Sequence, residues 1–355
     1  MKIILVENLR GTEKLSFDVC DNEGRILIKA GTVLSKQHIN KLYDHGIFSV
    51  KIDGYDNDYL EYKSNLKDEY MESLKHSNLK NMPIMFDKIV NGNFDKPEEY
   101  TDNVYSMVDH ILEEGSVNTN LFEIKSYDDY TYIHCVDTCI MAVFLGSTLH
   151  LPKDQLRNLS VAAILHDIGK TKISNSIITK KGKLTDEEFS IIQSHPIYGE
   201  EILKNISSIP INVVNAVAQH HEKFNGKGYP YGISGNNINI FARIISICDV
   251  FTAVSANRSY RKRFDPYDAY ELILSSAGTQ FDPTLVNCFK ETFSVYPLGC
   301  SLILSNGFEG IVIGQNKGFP DRPILKIFKK FHQDIFSPFE LNLLEHINVT
   351  VKDVI

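Results

Sequence analysis

The sequence predicts a mainly α protein, with an all-helical central domain, a small β-rich N-terminal unit before it and a short β C-terminal appendage after it. Three observations carry this reading. From about 119 to 295, long segments repeat apolar residues at helical spacing. Both ends alternate instead in short bursts punctuated by glycine and asparagine. Six of the 12 histidines fall between His134 and His221, where even spacing would place about three.

In the first unit, residues 1–53, "KLSFDVCD" and "GRILIKAG" read as two strands joined through Asn22, Glu23 and Gly24. "TVLSKQHINKLYDHGIFSVKI" follows as a short helix, with Leu34, Ile39 and Leu42 facing one way, that Gly46 ends before a strand-like "FSVKI". Residues 54–118 are rich in Lys, Glu, Asp, Asn and Tyr, and their apolar positions Leu60, Leu66, Met71 and Leu74 are sparse. That pattern predicts exposed helices connecting two units. Residues 119–295 carry the helical segments "YIHCVDTCIMAVFLGSTLHL", "LRNLSVAAILHDIGK", "LTDEEFSIIQSHPIYGEEILKNI", "INVVNAVAQHHEKF", "FARIISICDVFTAVSANRSY" and "YDAYELILSSAG". Thr185, with Glu188 three residues later, makes a capping box. Residues 296–355 return to alternation in "CSLILSNGFEGIVIGQN" and "RPILKIFKK".

Composition narrows the function. The chain has 355 residues, 43% of them hydrophobic and 23% charged, so it can bury cores and is neither fibrous nor disordered. A net charge of -8 argues against an extended nucleic-acid face, because phosphate backbones are bound by clustered lysine and arginine. A small phosphorylated ligand is compatible with it. Apolar runs such as "IMAVFLG" fall short of the roughly 20 residues that cross a bilayer, and "MKIILVENLRGTEK" meets polar residues before a signal-peptide core could form. A cytoplasmic location is expected. The six cysteines form no C-x-x-C pair, which predicts reduced, mostly buried thiols rather than disulfides or a thiolate metal site.

Histidine supplies the chemistry. His134, His166 with Asp167, His195, His220 with His221, and Asp249 occur about one per helix or helix end, each in a segment with an apolar face. Five imidazoles and two carboxylates turned inward together are costly to bury, and a bound cation recovers that cost. These donors suit iron, manganese, zinc, cobalt or nickel. Seven donors exceed one tetrahedral ion but fit two divalent ions about 3.5 Å apart with a water between them. Asp167 is the expected bridge, since adjacent His166 and Asp167 diverge by about 100° on a helix. His110 and His150 lack neighbouring donors and are left unassigned.

The segments "HDIGK" at 166–170, "SHPIYGEEIL" at 194–203, "HHEKFNGKGYP" at 220–230 and "RIISICDVFTAVSANRSYR" at 243–261 resemble the HD-GYP family, HD-superfamily phosphohydrolases that degrade cyclic di-GMP. The resemblance covers roughly 119–295 and implies an HD-type metallohydrolase domain. The family's metal ligands fall on the same seven residues. Some members hold a third ion through a glutamate one turn before the first histidine; Tyr130 stands there, which favours two ions, iron or manganese by preference. Lys170 lies at i+4 from His166 and is expected to meet a nonbridging phosphate oxygen or the attacking hydroxide. The resemblance assigns Arg258 and Arg261 to the substrate phosphates, a task suited to forked guanidinium donors. Tyr229, in the "NGKGYP" loop, would stack near a guanine or shape the pocket.

The implied reaction is hydrolysis of a 3'-5' phosphodiester of cyclic di-GMP by a metal-bridging hydroxide, giving pGpG and, after a second cut, GMP. Asp167 and Lys170 are its catalytic residues. The alternatives are another HD-superfamily nucleotide phosphohydrolase and a catalytically weak cyclic di-GMP binding or scaffold protein. The N-terminal unit could tune access to the site, bind a regulatory partner or complete a homodimer, and its charge pattern chooses none of these.

Overall fold

A computed structural model describes residues 2–6, 9–20, 26–45, 47, 49–52, 69–92, 98–114, 119–120, 132–180, 182–255, 266–296 and 298–354. The described residues divide into two compact units, one helical (within 69–117 and 129–289) and one β-rich (within 1–68, 118–128 and 290–355). Among them, no helix is long and apolar enough to cross a membrane.

The β-rich unit opens with β1 (Lys2–Leu5), β2 (Val19–Cys20), β3 (Ile26–Ile28), α1 (Lys36–Asp44) and β4 (Ser49–Ile52). β1 pairs antiparallel with β4, and β2 with β3. Ser35 starts α1 by accepting from the His38 amide while the His38 ring meets the Ser35 amide. Leu42 is thereby turned into a core of Val6, Leu15, Val19, Ile28, Leu34, Ile47, Val50 and Ile52. Later in the chain, β5 (Thr119–Asn120) runs parallel to β6 (Phe293–Ser294). The appendage is a five-stranded antiparallel sheet in the order β10 (Gln333–Asn342), β9 (Phe319–Lys330), β8 (Phe308–Asn316), β7 (Ser301–Leu304) and β11 (Val351–Val354), cored by Leu302, Leu304, Val312, Leu325 and Ile327.

The helical unit contains α2 (Glu69–Val90), α3 (Glu98–Glu114), α4 (Tyr132–Thr148), α5 (Lys153–Leu165), a 3-10 helix (Ile168–Lys172), α6 (Asn175–Ile178), α7 (Asp186–Ile192), α8 (His195–Leu203), α9 (Ile211–Gln219), α10 (Ile240–Ser255), α11 (Pro266–Ser275) and α12 (Pro283–Thr292). α4 and α10 are buried nearly all round, as their uninterrupted apolar sequences require, so they form the centre. Aromatic packing secures the next layer: Phe289 of α12 lies 5.5 Å from Phe251 and 6.0 Å from Tyr270, centroid to centroid.

Three expectations are corrected. Glu69–Val90 and Glu98–Glu114 are not exposed connecting helices: Met82, Met85, Phe86 and Ile89 of α2 and Val104, Met107, Val108 and Ile111 of α3 are buried. These repeat at i, i+3, i+4 and i+7, a true amphipathic stripe hidden by the polar average composition. Phe86 meets the Tyr132 ring edge-on at 5.4 Å, and Lys75 forms a buried 2.6 Å ion pair with Asp137 of α4. The "LTDEEFSIIQSHPIYGEEIL" segment is two helices, α7 with the expected Thr185–Glu188 capping box and α8, whose first turn contains Pro196. Asp167 departs from helical backbone (φ -98°, ψ 6°), so the helix ends at the His-Asp pair and a 3-10 helix follows.

Candidate metal centre

Three of the histidines are set by one local device. His166 caps α5, His195 starts α8 just after α7, and His220 caps α9. Each places Nδ1 against the backbone carbonyl three residues earlier: Ala163 at 2.7 Å, Ile192 at 2.7 Å and Val217 at 2.8 Å. A carbonyl only accepts, so each Nδ1 carries a hydrogen and donates it. That leaves Nε2 as the atom free to ligate, and all three rings are buried.

The Nε2 atoms converge. His195 and His220 approach Nε2 to Nε2 at 3.2 Å. Burial pushes the His195 imidazole down to about 3 and His220 well below the ordinary range, so both are neutral and the two lone pairs face each other without a proton between them. His221 completes this cluster, its ring 4.1 Å from His220 and 5.0 Å from His195; burial pushes it down to about 4. The ligating atoms of His195, His220 and His221 all lie within 4.8 Å of one another, as do those of His134, His166 and Asp167.

Asp167 lies between the two clusters. Its Oδ1 is 3.3 Å from His195 Nε2, and its Oδ2 is 3.4 Å from His166 Nε2 and 2.6 Å from Lys170 Nζ. Asp249, on α10, reaches His134 Nε2 with Oδ1 at 2.8 Å and His166 Nε2 at 3.9 Å. Burial opposes charge on both carboxylates. For Asp167 the Lys170 ammonium and His166 outweigh it, and for Asp249 the His134 hydrogen bond does, so both sit below the usual range. Burial likewise opposes a proton on His166, yet the Asp167 carboxylate retains one there. His166 would give up that proton on holding a cation at Nε2.

The donors fit divalent transition ions. His166 Nε2 and Asp167 Oδ1 are buried without a hydrogen-bond partner, a cost that coordination removes. Two His/Asp clusters sharing one carboxylate between them are consistent with a two-metal catalytic centre.

Close backbone approach holds this arrangement. A Cβ on Gly169 would stand 1.9 Å from the His195 carbonyl oxygen, so the turn after Asp167 can lie on the start of α8 only as glycine. The Tyr229 ring stacks on His221 at 4.9 Å and 27°. A Cβ on Gly228 would fall 2.2 Å from the Lys223 amide nitrogen, so this loop too folds back onto its own stem. The buried Glu222 anchors it: Oε1 accepts from the amides of Tyr231 at 2.6 Å and Gly232 at 3.0 Å, and the Tyr231 hydroxyl donates to Glu200 of α8.

All seven expected metal ligands therefore meet. The Lys170 ammonium donates to the Asp167 carboxylate at i+3 from within the 3-10 helix that follows the His-Asp pair. Arg258, Arg261 and Tyr130 lie outside the described residues. Glu222 and Gly169 were not anticipated, although "HHE" and "HDIGK" contain them; nothing in the spacing marks a carboxylate that bonds amides nine and ten residues later. Cys135, Cys139, Cys248 and Cys300 are buried and Cys288 is partly buried.

A helical bundle whose helices and helix ends bring five histidines and two aspartates together is an HD-type metal-dependent phosphohydrolase fold, of the HD-GYP kind that the motifs resemble. Residues 133–285 match the family model described as the HD domain. A cyclic di-GMP phosphodiesterase of Pseudomonas aeruginosa is 33% identical over 218 residues, 61% of this chain and 52% of that protein. A 3'3'-cGAMP-specific phosphodiesterase of Vibrio cholerae is 38% identical over 174 residues, 49% of this chain and 38% of that protein. The chain thus spans about half the length of the first relative and less of the second. The solved structure of an HDG"Y"P protein from Bdellovibrio bacteriovorus shares the fold, with a TM-score of 0.50 at 18% identity, covering 81% of this chain and 97% of that one.

Proposed function

We propose that the protein is a two-metal phosphodiesterase that opens a 3'-5' phosphodiester of cyclic di-GMP to give pGpG, with GMP as the product of a second cut. The observation that carries the reading is Asp167, whose two oxygens face the two histidine clusters at 3.3 and 3.4 Å in a buried site with unsatisfied donors. His134, His166, Asp167 and Asp249 would hold one ion, and His195, His220, His221 and Asp167 the other, with iron or manganese suited to this imidazole and carboxylate set. Two such ions, when bound, lower the pKa of a water between them and neutralise charge on the phosphoryl oxygens.

The chain's own groups do the rest. Asp167 spans both positions and, kept ionised by Lys170, does not compete for the proton of the attacking water. Lys170 carries a positive charge to the rim, where its partly exposed ammonium can turn to a nonbridging phosphate oxygen. Tyr229, stacked on His221, presents a ring face to a base, and Arg258 and Arg261 are assigned to the phosphates on motif resemblance. The helix ends bury the donors and exclude bulk water.

A second reading, preference for 3'3'-cGAMP, is favoured by Vibrio cholerae relatives named for that specificity. Turnover assays on cyclic di-GMP, 3'3'-cGAMP and nucleoside monophosphates, with the metal-loaded protein, separate the readings. Higher kcat/KM on cyclic di-GMP supports the proposal; higher kcat/KM on 3'3'-cGAMP supports the second; preference for a monophosphate, or no turnover with two ions bound, rejects both.

A further inference from the structure

His134 is oriented differently from the three histidines that lean on backbone carbonyls. Its Nδ1 lies 3.1 Å from the hydroxyl of Thr252, one turn beyond Asp249 on α10. That hydroxyl is buried and also meets the carbonyls of Cys248 at 2.8 Å and Asp249 at 2.9 Å and the hydroxyl of Thr138 at 3.0 Å. A neutral His134 that donates from Nε2 to Asp249 Oδ1 has a lone pair at Nδ1, which needs a donor. Once Nε2 ligates an ion, Nδ1 carries the hydrogen and needs an acceptor. A carbonyl serves only the second state, whereas a hydroxyl serves both.

We propose that Thr252 is the positioning residue for His134, a rotating hydroxyl that follows the imidazole through a tautomer change as the ion beside Asp249 binds and leaves. The inference rests on the metal reading above and deepens it. His134 Nε2 and Asp249 Oδ1 lie 2.8 Å apart, so the imidazole is bonded at both nitrogens. Thr252 is also the orienting group that substitution can remove, since the carbonyls behind His166, His195 and His220 belong to the main chain.

The test uses the full chain and Zn2+ as a diamagnetic probe, with metal binding followed by titration and imidazole protonation by long-range proton-nitrogen NMR at pH 8. In the unmutated protein, His134 should be the Nε2-H form without metal and the Nδ1-H form with it. Thr252→Val should weaken one of two Zn2+ sites by about 10- to 100-fold and leave the other unchanged, and Thr252→Ser should stay within about threefold of the unmutated protein. Thr138→Val, whose hydroxyl meets Thr252 but not the imidazole, should also stay within about threefold on both sites. Two unchanged sites in Thr252→Val, or any other pair of His134 forms, overturns the role of Thr252 while the two-ion reading stands. An unmutated protein that binds no Zn2+ overturns both. The NMR arm needs no variant, so it decides the matter even if Thr252→Val does not fold.

Discussion

Gly169→Ala is the substitution for which the structure dictates the largest effect from one methyl group. The new Cβ would lie 1.9 Å from the His195 carbonyl oxygen, 2.6 Å from the Gly199 amide nitrogen and 2.9 Å from the His195 carbonyl carbon. All three neighbours are backbone, so no rotamer change relieves the clash. Reaching even about 3.2 Å requires the turn and the start of α8 to part by about 1.3 Å, the difference from 1.9 Å. Those two pieces carry Asp167 and His195, whose Oδ1 and Nε2 are 3.3 Å apart. Overpacking of this kind costs about 1–3 kcal/mol, and a misplacement of about 1 Å lowers turnover on the order of 100-fold. Gly199→Ala is the matched comparison. Its Cβ meets one side-chain atom inside 3 Å, a Val217 methyl at 2.7 Å, rather than backbone, and alanine gains about 1 kcal/mol of helix propensity, so turnover should fall less than about tenfold. Elemental analysis, urea unfolding and turnover on cyclic di-GMP read the outcome. Gly169→Ala with two bound ions and native turnover, or Gly199→Ala as the more damaged variant, would refute the reasoning.

Acid should destabilise the metal-free protein within a defined window. His195 and His221 have folded values of about 3 and 4 against 6.5 unfolded, and His220 is lowered too, so stability is full above about pH 6.5 and lost as pH falls towards 4. Below about pH 6.5 His166 is protonated in both states, and Asp167 and Asp249 stay ionised in both down to about pH 5; above 6.5 His166 acts in the opposite sense, because the folded protein keeps a proton there that the unfolded chain has lost. His195 alone contributes a loss of about 2 kcal/mol at pH 5, visible as a falling urea midpoint between pH 6.5 and 5; a flat midpoint there contradicts neutral burial. Glu222→Ala removes two buried bonds to the Tyr229 loop, each about 1.5–3 kcal/mol. It should expose residues 225–232 to protease and raise KM with two ions still bound, whereas Glu222→Gln retains the accepting oxygen and should behave as native. Lys170→Met takes away the charge that holds Asp167 ionised, so metal affinity should fall more at pH 5.5 than at 7.5; unchanged affinity at both would assign Lys170 to substrate alone.

Much of the centre is legible in the sequence because its donors are chemically conspicuous. Five histidines and two aspartates among apolar helices have few inexpensive explanations, and the structure gathers the same seven side chains. The mainly α middle and the alternating ends are legible for the same reason of period. What the sequence hides is whatever depends on distances between elements. Thr252 reads as an ordinary helix residue until His134 arrives from α4, and Gly169 reads as a turn until α8 lies against it. The stripe on α2 and α3 was obscured by surrounding charge, and the end of the helix at the His-Asp pair is not marked by any glycine or proline just before it.

The central claim is a two-ion centre that cuts a cyclic dinucleotide. It is tested most directly by anaerobic purification with elemental analysis, followed by product analysis from cyclic di-GMP after reconstitution with iron or manganese. The account predicts about two equivalents per chain, pGpG or GMP as product, and loss of metal and turnover together in Asp167→Ala. Turnover by a metal-free Asp167→Ala protein, or sub-stoichiometric metal and no turnover in every preparation, would contradict it.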